Sequence, residues 1–246
     1  MHNPSNFLKY LFDEYLTWGG YPRVVLAFSS EEKQEILKEL VYSYVKKDIF
    51  EAKIRQDEDF YRLFKILAGQ VGSLVNSHEL AATLNLSKTA VDNYLYVLQK
   101  SFHIRLVRPW FKNLRKELIK MPKVYFTDPG LRNFLVNDFQ PWFSRKDQGQ
   151  LLENGVFRQL VDCYGWENIR FWRTTAKNEV DFVLENEWLA YEVKSNLANL
   201  KKSKYRDFIR QYPDFKLKFI SRENLPCQAE VEMSGAPRSR NVRFLV

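Results

Sequence analysis

The run Asn178-Glu179-Val180-Asp181-Phe182-Val183-Leu184-Glu185, returning through Trp188-Leu189-Ala190-Tyr191-Glu192-Val193-Lys194, decides the fold. It reads as a short β-hairpin. With Asn186-Glu187 as a two-residue turn, cross-strand partners sum to a constant, so Glu185 faces Trp188 and Asp181 faces Glu192. Side chains alternate with period two. Val180, Phe182 and Leu184 therefore point one way with Leu189, Tyr191 and Val193, while Asp181, Glu192 and Lys194 share the other face. The expectation is one packed face and one polar, working face. Upstream, Gln150–Val161 spaces Leu152, Val156 and Leu160 as an amphipathic helix does, and it carries Glu153. A helix followed by a hairpin predicts an α/β (α+β) domain.

Two carboxylates and a lysine on one strand face suit phosphodiester hydrolysis. A hard divalent cation needs carboxylate oxygens, and the charge on the attacked phosphate needs neutralising. Lys194 is placed to orient or deprotonate the attacking water, and Glu153 supplies a further carboxylate. The bland reading is a solvated strand face, since Asp, Glu and Lys are ordinary surface residues. Convergence of Glu153 on the hairpin acids separates the two, because clustered carboxylates repel unless a cation joins them.

Glu153, Asp181 and Glu192-Val193-Lys194, in that order, resemble the PD-(D/E)xK restriction-endonuclease-like superfamily. Most of the chain resembles, more closely, the C-terminal region of a prokaryotic family of AAA+-type ATPases. There a P-loop domain is followed by a winged-helix segment and a domain of unknown function with the nuclease-like fold, which implies an α/β domain with a mixed sheet here. The runs that carry this resemblance are Trp18-Gly19-Gly20-Tyr21-Pro22, Tyr125-Phe126-Thr127-Asp128-Pro129-Gly130-Leu131, Leu151-Leu152-Glu153-Asn154, Phe171-Trp172-Arg173-Thr174 and the hairpin. The resemblance implies that Asp181, Glu192 and Glu153 hold Mg2+ or Mn2+ and that Lys194 assists the water. It equally allows the same residues to be a fold-level remnant in a non-catalytic DNA- or protein-binding appendage, since function belongs to the site and not to the fold. No Gly-x4-Gly-Lys-Ser/Thr loop occurs, so ATP hydrolysis is not expected of this chain alone. An AAA+ ATPase domain, in the same protein or in a partner chain, is the expected neighbour.

The 246 residues carry a formal charge of +8 at pH 7, which leans toward anionic partners, DNA first. The excess gathers in Lys194–Arg222. A lysine-rich stretch is also commonly a solvated helix face, and Tyr205, Phe208 and Tyr212 at helical spacing read as core contacts. Cys163 and Cys227 have no zinc-site spacing, and His2, His78 and His103 are scattered. With no signal peptide and no run near the ~20 apolar residues of a membrane span, a cytoplasmic protein without membrane partners is expected.

The chain divides into a helical cap over 1–57, a winged helix-turn-helix over 58–136, a linker over 137–149, the nuclease-like domain over 150–222 and a tail over 223–246 with an edge strand at its end. In the cap, Ser29 or Ser30 is placed to cap the second helix, and the Trp18 region is expected to be exposed toward the missing ATPase. Within Glu79–Leu95, Asn85 takes the turn position, Ser87 caps the second helix, and Val91, Leu95 and Leu98 pack inward. Lys88, Thr89, Asp92, Asn93 and Tyr96 then face outward, with Lys88, Thr89 and Asn93 reaching toward a groove. Strands around Ile104 and Val124 flank Lys112, Arg115 and Lys116, a basic wing suited to phosphates.

Overall fold

The computed structural model describes residues 4–51, 57–110, 120–200 and 202–225. These form two compact units of mixed helix and sheet. The first takes residues up to Leu106 together with Val124–Lys146; the second takes Val107–Lys123 and the chain from Asp147 onward. The wing residues Lys112, Arg115 and Lys116 and the end of the tail lie outside the described residues.

The first unit opens with α1 (Pro4–Trp18), α2 (Pro22–Val25) and α3 (Ser30–Glu51). Ser29 is the residue that caps α3: its Oγ accepts from Glu32 N at 3.2 Å, and the Glu32 carboxylate reaches back to Phe28 N at 3.0 Å. Helix α4 (Asp57–Gly69) buries Phe60, Leu63, Phe64, Leu67 and Ala68, one stripe at helical spacing. Then come α5 (Ser77–Leu84) and α6 (Lys88–Lys100), joined where Asn85 takes the left-handed conformation at φ 56°. Ser87 Oγ accepts from Ala90 N at 3.1 Å and starts α6. Strands β1 (Ile104–Val107) and β2 (Lys123–Phe126) pair, and α7 (Pro129–Val136) follows.

Two glycine-bearing runs meet in this unit. Asp128 caps α7 through Leu131 N at 2.9 Å, and its other oxygen accepts from Gly20 N at 2.7 Å. Gly19 sits at φ +80°, and a Cβ on Gly130 would lie 2.0 Å from the Trp18 carbonyl oxygen, so neither position admits a side chain. Trp18 is buried and stacks on Phe139 at 4.8 Å, which corrects the expectation that its region is exposed. The stretch expected as a linker carries Arg145, whose buried guanidinium donates to Asn133 Oδ1 at 3.2 Å.

The second unit sets α8 (Gln148–Tyr164) against a four-stranded sheet of β3 (Ile169–Arg173), β4 (Glu179–Leu184), β5 (Leu189–Val193) and β6 (Lys216–Ile220), in that spatial order. Strands β3 to β5 are antiparallel and β6 runs parallel to β5. The hairpin register is Phe182↔Tyr191, Val183↔Ala190 and Leu184↔Leu189. Its turn is wider than the expected two residues: Glu185–Glu187 make a single 3-10 turn and Trp188 closes it at φ 53°. Widening by one residue on each side leaves the sum of partners unchanged, so every side chain keeps its face.

The expectation of a single buried face is corrected. Phe157 of α8 meets Phe182 on one side. On the other, Val183 and Ala190, which share the acid face, pack with Trp110, Trp172 and Phe215 and with Phe208 and Tyr212 of the segment containing α9 (Arg206–Gln211). A helix covers each face, so Asp181 and Glu192 are buried, at 7% and 4% exposure.

Candidate functional site

The acids converge, and a cation already stands among them. Lys123, the first residue of β2, extends an almost fully buried side chain whose Nζ lies 3.2 Å from Glu153 Oε1, 3.5 Å from Asp181 Oδ1 and 2.5 Å from Glu179 Oε1. Helix α8 supplies Glu153, while Glu179 and Asp181, two apart on β4, share a face by strand alternation. Arg173 at the end of β3 binds the second Glu179 oxygen at 2.7 Å. Asp181 Oδ2 accepts from Val193 N at 2.9 Å, which fixes the carboxylate against the neighbouring strand. Burial alone would discharge Lys123, but Glu153, Asp181 and Glu179 outweigh it and hold the ammonium above its ordinary value.

Glu192 keeps a different company. Its Oε1 accepts from Tyr205 Oη at 2.9 Å and pairs with Lys194 Nζ, whereas its Oε2 is buried with no hydrogen-bond partner among the described residues. Burial first, and the Asp181 charge second, push its carboxyl up to about 7, against the pull of Lys194 and Tyr205. For Lys194, burial works against the charge, but Glu192 beside it prevails, with Asp181 and Glu153 adding to it, and the amine is held above its usual value. Paired with Glu192, Lys194 stands at the pocket as a positive charge and a hydrogen-bond donor.

Above these groups opens a pocket of about 320 Å3 lined by Arg173, Lys177, Asn178, Glu179, Asp181, Glu192, Lys194, Lys204 and Tyr205. Lys177 and Lys204 are exposed at its rim, and among the described residues neither has a carboxylate partner. Lys177 is aimed by a left-handed backbone, φ 65°, in the β3–β4 turn, where its N–H meets Thr174 O at 3.1 Å.

The expected residues are thus split. Glu153 and Asp181 share Lys123, Glu192 and Lys194 pair with each other, and Asp181 stands between the two groups. Sequence reading missed Lys123, Glu179, Arg173 and Lys177 as site residues, while Lys204 lies in the basic run Lys194–Arg222. The oxygens around Lys123 close on an ammonium group, and among the described residues no cluster of three or more acidic, histidine or cysteine side chains is arranged to hold a metal ion. As arranged, the donor set does not fit a divalent ion between Glu153, Glu179 and Asp181. On α6 of the first unit, Lys88, Thr89 and Asn93 are exposed, and Lys88 is paired one turn along with Asp92.

Comparison with known proteins gives families without an assigned activity. Residues 148–232 match a domain of unknown function (DUF4143), and residues 9–141 match another (DUF8612). An uncharacterized protein of Methanocaldococcus jannaschii is 30% identical over 190 residues, covering 74% of this chain and 41% of that protein. One of Mycobacterium tuberculosis is 27% identical over 170 residues, 68% of this chain and 38% of that protein, and one of Haemophilus influenzae is 27% identical over 163 residues, 64% and 39%. The chain spans about two fifths of the length of these relatives. No solved structure matches. No helix among the described residues is long and apolar enough to cross a membrane. With more than half of its residues under one family model, the chain belongs to the domain family DUF8612.

Proposed function

We propose that this chain is a DNA-associated module whose PD-(D/E)xK-type pocket grips the phosphodiester backbone without cleaving it, as an appendage of an AAA+-type ATPase. The observation that carries the reading is the pocket rim. Arg173, Lys177, Lys194 and Lys204 bring four cationic side chains to one opening, Arg173 paired with Glu179, and Lys123 offsets part of the charge of the acids beneath them. A backbone phosphate would be taken by Lys177 and Lys204 as point charges, with Lys194 donating from the pocket floor. The exposed Lys88, Thr89 and Asn93 of α6 form a second contact in a winged helix-turn-helix. The ATPase partnership is supported by the resemblance of the ordered motifs, by the length of the relatives, and by the usual company of the second domain family.

Fluorescence anisotropy with labelled single- and double-stranded DNA, at two salt concentrations and beside a Mg2+ cleavage assay, tests it. Salt-sensitive binding with intact DNA is expected; absence of binding at low salt defeats the proposal. A second reading, metal-dependent hydrolysis, is favoured by Glu192 Oε2, since a buried carboxylate oxygen without a partner is a ligand that a cation completes. Mg2+-dependent cleavage that disappears in Glu192→Gln selects that reading.

A further inference from the structure

We infer that Lys123 is the resident cation of the carboxylate cluster, filling from within the chain the place where Glu153, Glu179 and Asp181 would otherwise hold a divalent ion. Three observations carry it. The Nζ meets one oxygen of each of the three acids, which come from α8 and β4. The side chain is 2% exposed, so its charge has no other solvent than these oxygens, and its ammonium lies against the ring of Phe171 at 5.5 Å. The oxygens stand 2.5 to 3.5 Å from the nitrogen, hydrogen-bond spacing, whereas Mg2+ draws its ligands to ~2.0–2.1 Å and Ca2+ to ~2.3–2.6 Å.

A lysine in this position offsets part of the acids' charge permanently. It cannot polarise a water into a nucleophile as a metal does, so the pocket above it keeps the charge balance needed to receive a phosphate but lacks the means to cut it. Removal of the ammonium leaves one buried and two half-buried carboxylates facing one another, an arrangement that recruits a hard cation.

The inference deepens the reading of the pocket given above and rests on it for the site; its test contains no nucleic acid, so failure to bind DNA and failure here are separable. Mn2+ is titrated into the metal-free protein and the free ion followed by electron paramagnetic resonance, for wild type, Lys123→Gln, and Lys123→Gln combined with Asp181→Asn. Wild type is expected to take up no stoichiometric Mn2+. Lys123→Gln is expected to bind one equivalent with roughly tenfold or greater gain in affinity, the double variant to lose it. Should Lys123→Gln be unfolded in chelator, Mn2+ is expected to restore its near-ultraviolet circular dichroism. Stoichiometric Mn2+ on wild type that Asp181→Asn abolishes overturns the inference. So does a Lys123→Gln protein that neither binds Mn2+ better than wild type nor is refolded by it.

Discussion

Each unit buries a network of polar and charged side chains, and the two differ in how completely their groups are satisfied. In the first, Arg132 Nε donates to Ala68 O at 2.8 Å, at the end of α4, and Asn133 Nδ2 donates to Leu16 O and Thr17 O at 2.9 and 2.8 Å, at the end of α1. Asn133 Oδ1 accepts from Arg132 and Arg145, both at 3.2 Å. Guanidinium and amide donors meet the unpaired carbonyls of helix C-termini, whose dipoles favour positive charge. In the second unit, four buried or half-buried acids crowd Lys123, Arg173 and Lys194, one Glu192 oxygen has no partner among the described residues, and that carboxyl is pushed up to about 7. The first network joins helices. The second holds charge it has not fully compensated, beside an open pocket, which is where binding sites are found.

The sharpest way to break this contrast is Lys123→Met. It takes the shared cation from buried Asp181 and from half-buried Glu153 and Glu179, so it is expected to cost about 3–5 kcal/mol at pH 7, read from urea unfolding. Carboxylates left facing one another repel less as they take up protons, so the deficit is expected to shrink as pH falls from 7 to 5. Asn133→Ala is expected to cost about 2–3 kcal/mol, by leaving two α1 carbonyls and two guanidinium donors short of a partner. No titrating group is lost there, so its cost is expected to be equal at the two pH values. A loss that shrinks in acid for Asn133→Ala as well would erase the distinction.

What was legible followed from local rules. The hairpin register could be read because parity survives a change of turn width, and the Asn85 and Ser87 junction because capping is local chemistry. The double burial of the sheet was written in Val183 and Ala190, apolar residues on the acid face, but alternation alone assigns that face to solvent until α9 is known to cover it. Lys123 gave no local sign. A lysine heading the apolar Val124-Tyr125-Phe126 reads as a strand flank, and its partners are 30 to 58 residues away in sequence. Likewise the glycine-bearing runs near Trp18 and Asp128 were visible separately, while the 108-residue separation hid the Gly20–Asp128 bond that unites them.

Glu192→Gln sharpens the comparison from the other side. With a carboxyl pushed up to about 7 from the usual 4.5, the native state binds more protons than the unfolded chain between those values. The stabilisation from this group is full below 4.5 and is lost as pH rises through 7. Glutamine has no such dependence. Allowing for screening by the open pocket, the variant is expected to be about 1–2 kcal/mol more stable than wild type at pH 8, with the gap closing at pH 5. Thermal unfolding at the two pH values measures it, and a gap that widens in acid contradicts the assignment.

The smallest stability effect belongs to the residues with the largest expected binding effect. Lys177→Ala and Lys204→Ala remove exposed side chains that carry no ion pair among the described residues, so unfolding is expected to move by no more than about 0.5 kcal/mol. Each charge that meets a phosphate releases roughly one counterion, so the double variant is expected to weaken DNA binding and flatten the salt dependence by nearly two units. Lys88→Ala makes the internal control. Its ammonium is shared with Asp92 on the same helix face, and a charge already paired displaces few ions, so its slope is expected to change by less than either pocket lysine. A larger change at Lys88 than at Lys177 and Lys204 would move the principal DNA contact from the pocket of the second unit to α6 of the first.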